Sequence, residues 1–159
     1  MSSSPRADYL QYAVDLAVEN VQSGRGGPFA ALVVDDGEVI ATGTNRVTTD
    51  NDPTAHAEIM AIRAACEARG DFELTGCTLF SSCEPCPMCL GAIYWTRLDR
   101  VVYAATSAQA ARAGFDDDHI YEELEKSPAA RRIPMKRIDD VDETRPFDAW
   151  LTYDNRVEY

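Results

Sequence analysis

No run of apolar residues in this chain approaches the ~18 needed for a membrane-crossing helix, so it is expected not to span a bilayer. Positive charge is scarce as well, with 15 Lys and Arg against 27 Asp and Glu and a formal net charge of -12. Nucleic-acid binders meet phosphate backbones with a basic face, so a polynucleotide substrate is disfavoured. The acids crowd the last third, as in Asp116-Asp117-Asp118, Glu122-Glu123 and Asp139-Asp140, where they read as a solubilising surface. No apolar signal core follows the opening Met1-Ser2-Ser3-Ser4-Pro5-Arg6. The Ser-rich start is expected to fray and the protein to be cytoplasmic. No internal repeat is present. The Gly24-Arg25-Gly26-Gly27 stretch lacks the Lys-Ser/Thr that completes a phosphate loop. An even set of cysteines is missing too. There are five, and three of them, Cys83, Cys86 and Cys89, fall within seven residues. That pattern suits a metal in a reducing compartment better than a disulfide framework. The 159 residues suggest one domain spanning the chain, large enough to bury roughly 70% of its unfolded surface without disulfide staples.

Periodicity supplies the elements. Leu10, Ala13, Val14, Ala17, Val18 and Val21 repeat at helical spacing, which predicts an amphipathic helix with these residues inward. The glycines from Gly24 end it. Phe29 to Val34 and Glu38 to Thr42 flank Asp35-Asp36-Gly37, the pattern of a β-hairpin. A helix follows Asn51-Asp52-Pro53-Thr54 and runs to Gly70. A strand from Cys77 to Ser81, a helix from Met88 to Trp95 and a strand from Arg100 to Ala105 suggest parallel pairing through a crossover. Tyr94, Trp95 and Trp150 read as core aromatics, and Cys66 and Cys77 as small core residues. A weak helix from Tyr121 to Lys126, a last strand from Ile133 to Ile138 and a closing helix from Pro146 to Asn155, with Phe147, Trp150 and Leu151 inward, complete an α/β fold. Its mixed sheet is covered by helices on both faces.

Two short motifs carry the chemistry, His56-Ala57-Glu58 and Pro85-Cys86-Pro87-Met88-Cys89. A Cys-x-x-Cys at a helix start turns both sulfurs toward one point. The helix amides there favour thiolates. Imidazole and two thiolates suit zinc and leave one tetrahedral position open, the mark of a zinc that activates water. Glu58, two residues beyond His56, is placed to move protons without ligating the metal. Cys83 and Cys86 form a second Cys-x-x-Cys, but the proline before Cys86 and the helix start favour the later pair. Cys83 then reads as a strand-end packing residue. His119, among acids, reads as surface.

H-x-E followed by P-C-x-x-C is the signature of zinc nucleobase deaminases, so the chain resembles the cytidine-deaminase superfamily. Gly26-Gly27-Pro28-Phe29, Asn51 to Glu58, Ser82 to Trp95, Ala113-Gly114-Phe115-Asp116-Asp117 and Glu158-Tyr159 extend the likeness over nearly the full length to bacterial guanine deaminases. That resemblance implies a three-layer αβα sandwich with a mixed five-stranded sheet. It implies a likeness in assembly too, a homodimer whose C-terminal segments exchange. It implies one zinc per subunit on His56, Cys86 and Cys89, with Glu58 as the proton shuttle. It further implies a free purine base as substrate, with guanine hydrolysed to xanthine and ammonia and no nucleic-acid or membrane partner. Asn45 resembles the asparagine that hydrogen-bonds the purine, Phe29 an aromatic packed on it, and Tyr159 a tail residue closing the pocket. Asp117 resembles an acid that contacts guanine and helps move protons, with its neighbour Asp116 the alternative. Three other readings stay open. They are deamination of cytosine or guanosine, editing of adenosine in transfer RNA, and a zinc module that uses the site only for folding.

Overall fold

The computed structural model describes residues 5–159, so the expected fraying of the Ser-rich start lies outside the described residues. Two compact units divide the chain, the first ending at Asp117 and the second running Asp118–Tyr159. In the first unit the order is α1 (Pro5–Gln22), β1 (Ala30–Asp35), β2 (Glu38–Thr44), α2 (Val47–Asp50), α3 (Ala57–Arg69), β3 (Thr78–Cys83), α4 (Pro87–Trp95), β4 (Arg100–Ala105) and α5 (Ser107–Arg112).

The strands form one mixed sheet in the order β2-β1-β3-β4. β1 is antiparallel to both β2 and β3, while β3 and β4, joined through α4, run parallel. The β1–β2 turn falls on Asp36 and Gly37, whose φ values of 44° and 83° are both positive, as a tight hairpin turn with the strands' right-handed twist requires. Strand alternation divides the core. Leu32, Val34 and Phe80 pack with Ala13 of α1 on one face. On the other, Ala31, Val33 and Leu79 pack with Ala57, Ala61, Ile62 and Ala65 of α3 and Ile93 of α4. A Cβ on Gly43 would lie 2.3 Å from the Ala57 carbonyl oxygen and 2.3 Å from the Ala61 nitrogen. Only glycine therefore lets α3 sit this close to β2, which fixes the start of that helix. Gly70, at φ 66°, ends α3, its N–H donating to the Cys66 and Glu67 carbonyls.

Several expectations need correction. Among the described residues the sheet has four strands rather than five. Ile133–Ile138 forms no strand, because Pro134 has no N–H for a ladder. On α1 the buried residues are Ala13, Ala17 and Asn20, whereas Val18 and Val21 are each 49% exposed. The stripe is rotated so that small side chains bring the helix close to the sheet. Tyr94 and Trp95 are 77% and 68% exposed. α4 is apolar nearly all round, so its period could not choose a face, and the buried face is that of Cys89 and Ile93.

In the second unit, α6 (Asp118–Glu125), a 3-10 turn (Pro128–Ala130) and α7 (Arg145–Thr152) are present. None of its residues is buried. Phe147, Trp150 and Leu151 of α7, expected inward, are exposed. Polar contacts hold the unit instead. Glu123 accepts from Lys126 Nζ at 2.6 Å and from the Arg132 N–H at 2.6 Å, and Arg137 pairs with Asp139 and Glu143. No helix among the described residues is long and apolar enough to cross a membrane.

Candidate active site

Two helix beginnings converge on one point. His56 is the N-cap of α3 and Cys86 the N-cap of α4, with Pro87 in the first turn and Cys89 three residues along. His56 Nδ1 lies 3.5 Å from Cys86 Sγ and 3.6 Å from Cys89 Sγ, and the three donor atoms lie within 4.8 Å of one another. A tetrahedral zinc with Zn–S of about 2.3 Å and Zn–N of about 2.0–2.1 Å has N···S edges of roughly 3.6 Å. The donor triangle therefore fits that ion in both chemistry and size.

The site's charges follow from the same closeness. Cys86 is drawn down to about 4, chiefly by the hydrogen bond that Cys89 donates to it, with further help from His56. Cys89 is pushed up because it keeps the shared proton beside a thiolate; a divalent cation would replace that proton. His56 is raised, first by its bond to Cys86 and then by the charges of Cys86, Glu58 and Asp117. Cys83, the alternative cysteine, is buried at the end of β3 and pushed up to about 11, mainly by burial. It stays a thiol at neutral pH and does not join the donor cluster. Glu58, in the first turn of α3, is 6% exposed, and burial raises its carboxyl.

A loop ties Asn45, which directly follows β2, to the segment that leads into His56. The Arg46 N–H donates to the Ala55 carbonyl at 2.9 Å, so residues adjoining Asn45 and His56 are clipped together. The loop between is braced by Arg46 on both Asp50 oxygens and by Asp52, which accepts from the Thr54 amide and hydroxyl. Asn45 is buried, and its Oδ1 accepts from the Gly27 N–H at 3.2 Å and the Val47 N–H at 3.3 Å. Phe29 is half-buried, and its carbonyl accepts from the Asn45 N–H at 3.0 Å. The Phe29 ring meets Phe115 edge-on, with centroids 4.9 Å apart, which draws the segment before Asp116 and Asp117 toward β1. Asp117 is half-buried and Asp116 exposed. Tyr159 belongs to the second unit and is exposed. Sequence reasoning overlooked Asn20 and Ser82. The Ser82 hydroxyl accepts from the Ala30 N–H at 3.0 Å, and Asn20 breaks the apolar stripe of α1 at a fully buried position. That polar intrusion was the available signal.

Residues 3–105 match the cytidine and deoxycytidylate deaminase zinc-binding region. The chain belongs to this family of zinc-dependent deaminases. The family match contains Phe29, Asn45, His56, Glu58, Cys86 and Cys89 but ends before Asp117 and Tyr159. Among its relatives, guanine deaminase of Bacillus subtilis is 53% identical over 151 residues, covering 95% of this chain and 97% of that protein. An X-ray structure of guanine deaminase from Bacillus subtilis superposes with a TM-score of 0.94 at 52% identity, over 96% of this chain and 98% of the other. The tRNA-specific adenosine deaminase of Bacillus subtilis is 37% identical over 106 residues, 67% of this chain and 65% of that protein.

Proposed function

We propose that this protein hydrolyses guanine to xanthine and ammonia. The observation that carries the chemistry is the triangle of His56, Cys86 and Cys89 with the buried carboxyl of Glu58 beside it. The near-full-length likeness to a guanine deaminase supports the substrate. When held by the three donors, zinc supplies a position at which water ionises near neutral pH. Glu58 takes one proton from the attacking water and passes it to the ring nitrogen next to C2. It then carries the second to the amino group, which leaves as ammonia while the C2 carbonyl forms. Burial raises the Glu58 carboxyl, which suits a group that must both accept and give a proton. Asn45 keeps its Oδ1 on two backbone amides, so it turns its NH2 group to an acceptor on the purine. Phe29 packs on the ring. Asp117 accepts from guanine N–H groups, a contact that adenine, without a donor at N1, lacks.

The exposed apolar side chains of the second unit, Phe147, Leu151 and Val157 among them, support a homodimer in which the C-terminal segments exchange, since a monomer leaves them bare. In such a dimer the exchanged tail, which ends in Tyr159, closes the pocket of the other copy. The five free cysteines suit a reducing, cytoplasmic setting. The test is ammonia release by zinc-loaded protein from guanine, guanosine, cytosine, cytidine, adenine and a transfer-RNA anticodon stem-loop. Turnover of guanine above the rest is expected; turnover of another substrate with none of guanine overturns the reading.

A further inference from the structure

We propose that Asn20 is a positioning residue for the base-binding side of the site, acting through Asn45. The inference rests on the reading that Asn45 contacts the base. Asn20 lies near the end of α1 on the buried stripe with Ala13 and Ala17, fully out of water. Its Nδ2 donates to the Gly27 carbonyl at 2.9 Å and to the Asn45 carbonyl at 2.9 Å. Two carbonyl acceptors can be met only by the NH2 end of the amide, and Asn20 Oδ1 is left buried with no partner. An orphaned buried acceptor is a burden on stability, carried here because the NH2 end meets two main-chain carbonyls that a leucine of the same shape would leave without it. The amide therefore serves geometry rather than packing.

That geometry closes a ring. The Gly27 residue is held at both ends, its carbonyl by Asn20 Nδ2 and its N–H by Asn45 Oδ1. A Cβ on Gly26 would stand 2.0 Å from the Asn45 carbonyl oxygen and 3.1 Å from Asn20 Nδ2, so the glycine loop is pressed flat on the segment Asn20 holds. Asn20 thus fixes the Asn45 main chain directly and its side chain through Gly27. It keeps Oδ1 occupied and leaves the NH2 group to the substrate.

A double-mutant cycle separates positioning from general support. Asn20→Leu is made in the wild type and in Asn45→Ala, with kcat and KM on guanine, zinc content and melting temperature measured in all four proteins. The expected result is a KM raised roughly tenfold by Asn20→Leu, with kcat and zinc content held, as for loss of uniform binding. In Asn45→Ala the same change leaves KM where it was. The shift in melting temperature is equal in both backgrounds, because the Asn45 carbonyl survives the alanine. An unchanged KM in Asn20→Leu, or an equal rise in both backgrounds, overturns the proposal. Asn20→Ala takes the same place if the leucine variant fails to fold. The guanine reading fails separately, in the wild type. The cycle is then run on whichever substrate the wild type deaminates, and a wild type that deaminates none overturns both.

Discussion

The two units of this chain solve the problem of burial in opposite ways. The first surrounds a four-stranded sheet with helices and fills both faces, with Leu32, Leu74 and Leu79 wholly enclosed. The second has helices of stronger amphipathic pattern but encloses nothing, and its holds are surface ion pairs such as Lys126 with Glu123, each worth little in water. The contrast teaches that a helical apolar stripe announces a need for a partner without naming one. It also assigns the donor triangle and Glu58 to the unit that carries its own core.

The largest expected effect lies at the proton shuttle. Glu58→Gln should lower kcat by about 10²–10⁴-fold while the protein still co-purifies with stoichiometric zinc by elemental analysis. Unchanged turnover would remove Glu58 from the mechanism. The comparison of cores comes next. Leu79→Ala should cost about 2–5 kcal/mol in denaturant unfolding, because Leu79 is fully enclosed between β1 and α3. Gly43→Ala should cost about 1–3 kcal/mol, since its methyl meets α3 backbone rather than a yielding side chain, and zinc retention should weaken with it. In the second unit, the melting temperature of the wild type should rise with protein concentration, as mass action requires of a dimer, and Leu151→Asp should remove that dependence. A concentration-independent wild type would leave the apolar face of α7 without its proposed partner. The smallest effect contrasts two cysteines of the first unit. In chelator-treated protein Cys86, at about 4, is a thiolate at pH 6 and should alkylate, slowing only as pH falls toward 4. Cys83, at about 11, should stay unlabelled at pH 6. Labelling in the reverse order, read by peptide mass spectrometry, would break the choice of Cys86 and Cys89 as the metal pair.

The donor set was legible in the sequence because zinc chemistry demands particular atoms at particular spacings, and Pro85-Cys86-Pro87-Met88-Cys89 supplies both spacing and helix start. The hairpin was legible because Asp36-Gly37 is one of few pairs that tolerate positive φ twice. The orientation of helices was not. Period alone cannot tell that Val18 and Val21 point away from the sheet while Asn20 points in, since the choice depends on how closely Ala13 and Ala17 let the helix approach. The same holds for Tyr94 and Trp95 on a helix apolar on every side. The expected fifth strand weighed Ile133, Met135 and Ile138 above Pro134, which forfeits a ladder bond at the segment's second residue.

The clip between the Arg46 N–H and the Ala55 carbonyl uncouples chain length from site geometry. Doubling the stretch it closes would cost only about 0.6 kcal/mol of closure entropy, and neither the amide at its root nor the imidazole beyond it would have to shift. Beyond Val47, whose N–H holds Asn45 Oδ1, the loop can therefore lengthen before the clip closes it, and the reaction stays the same.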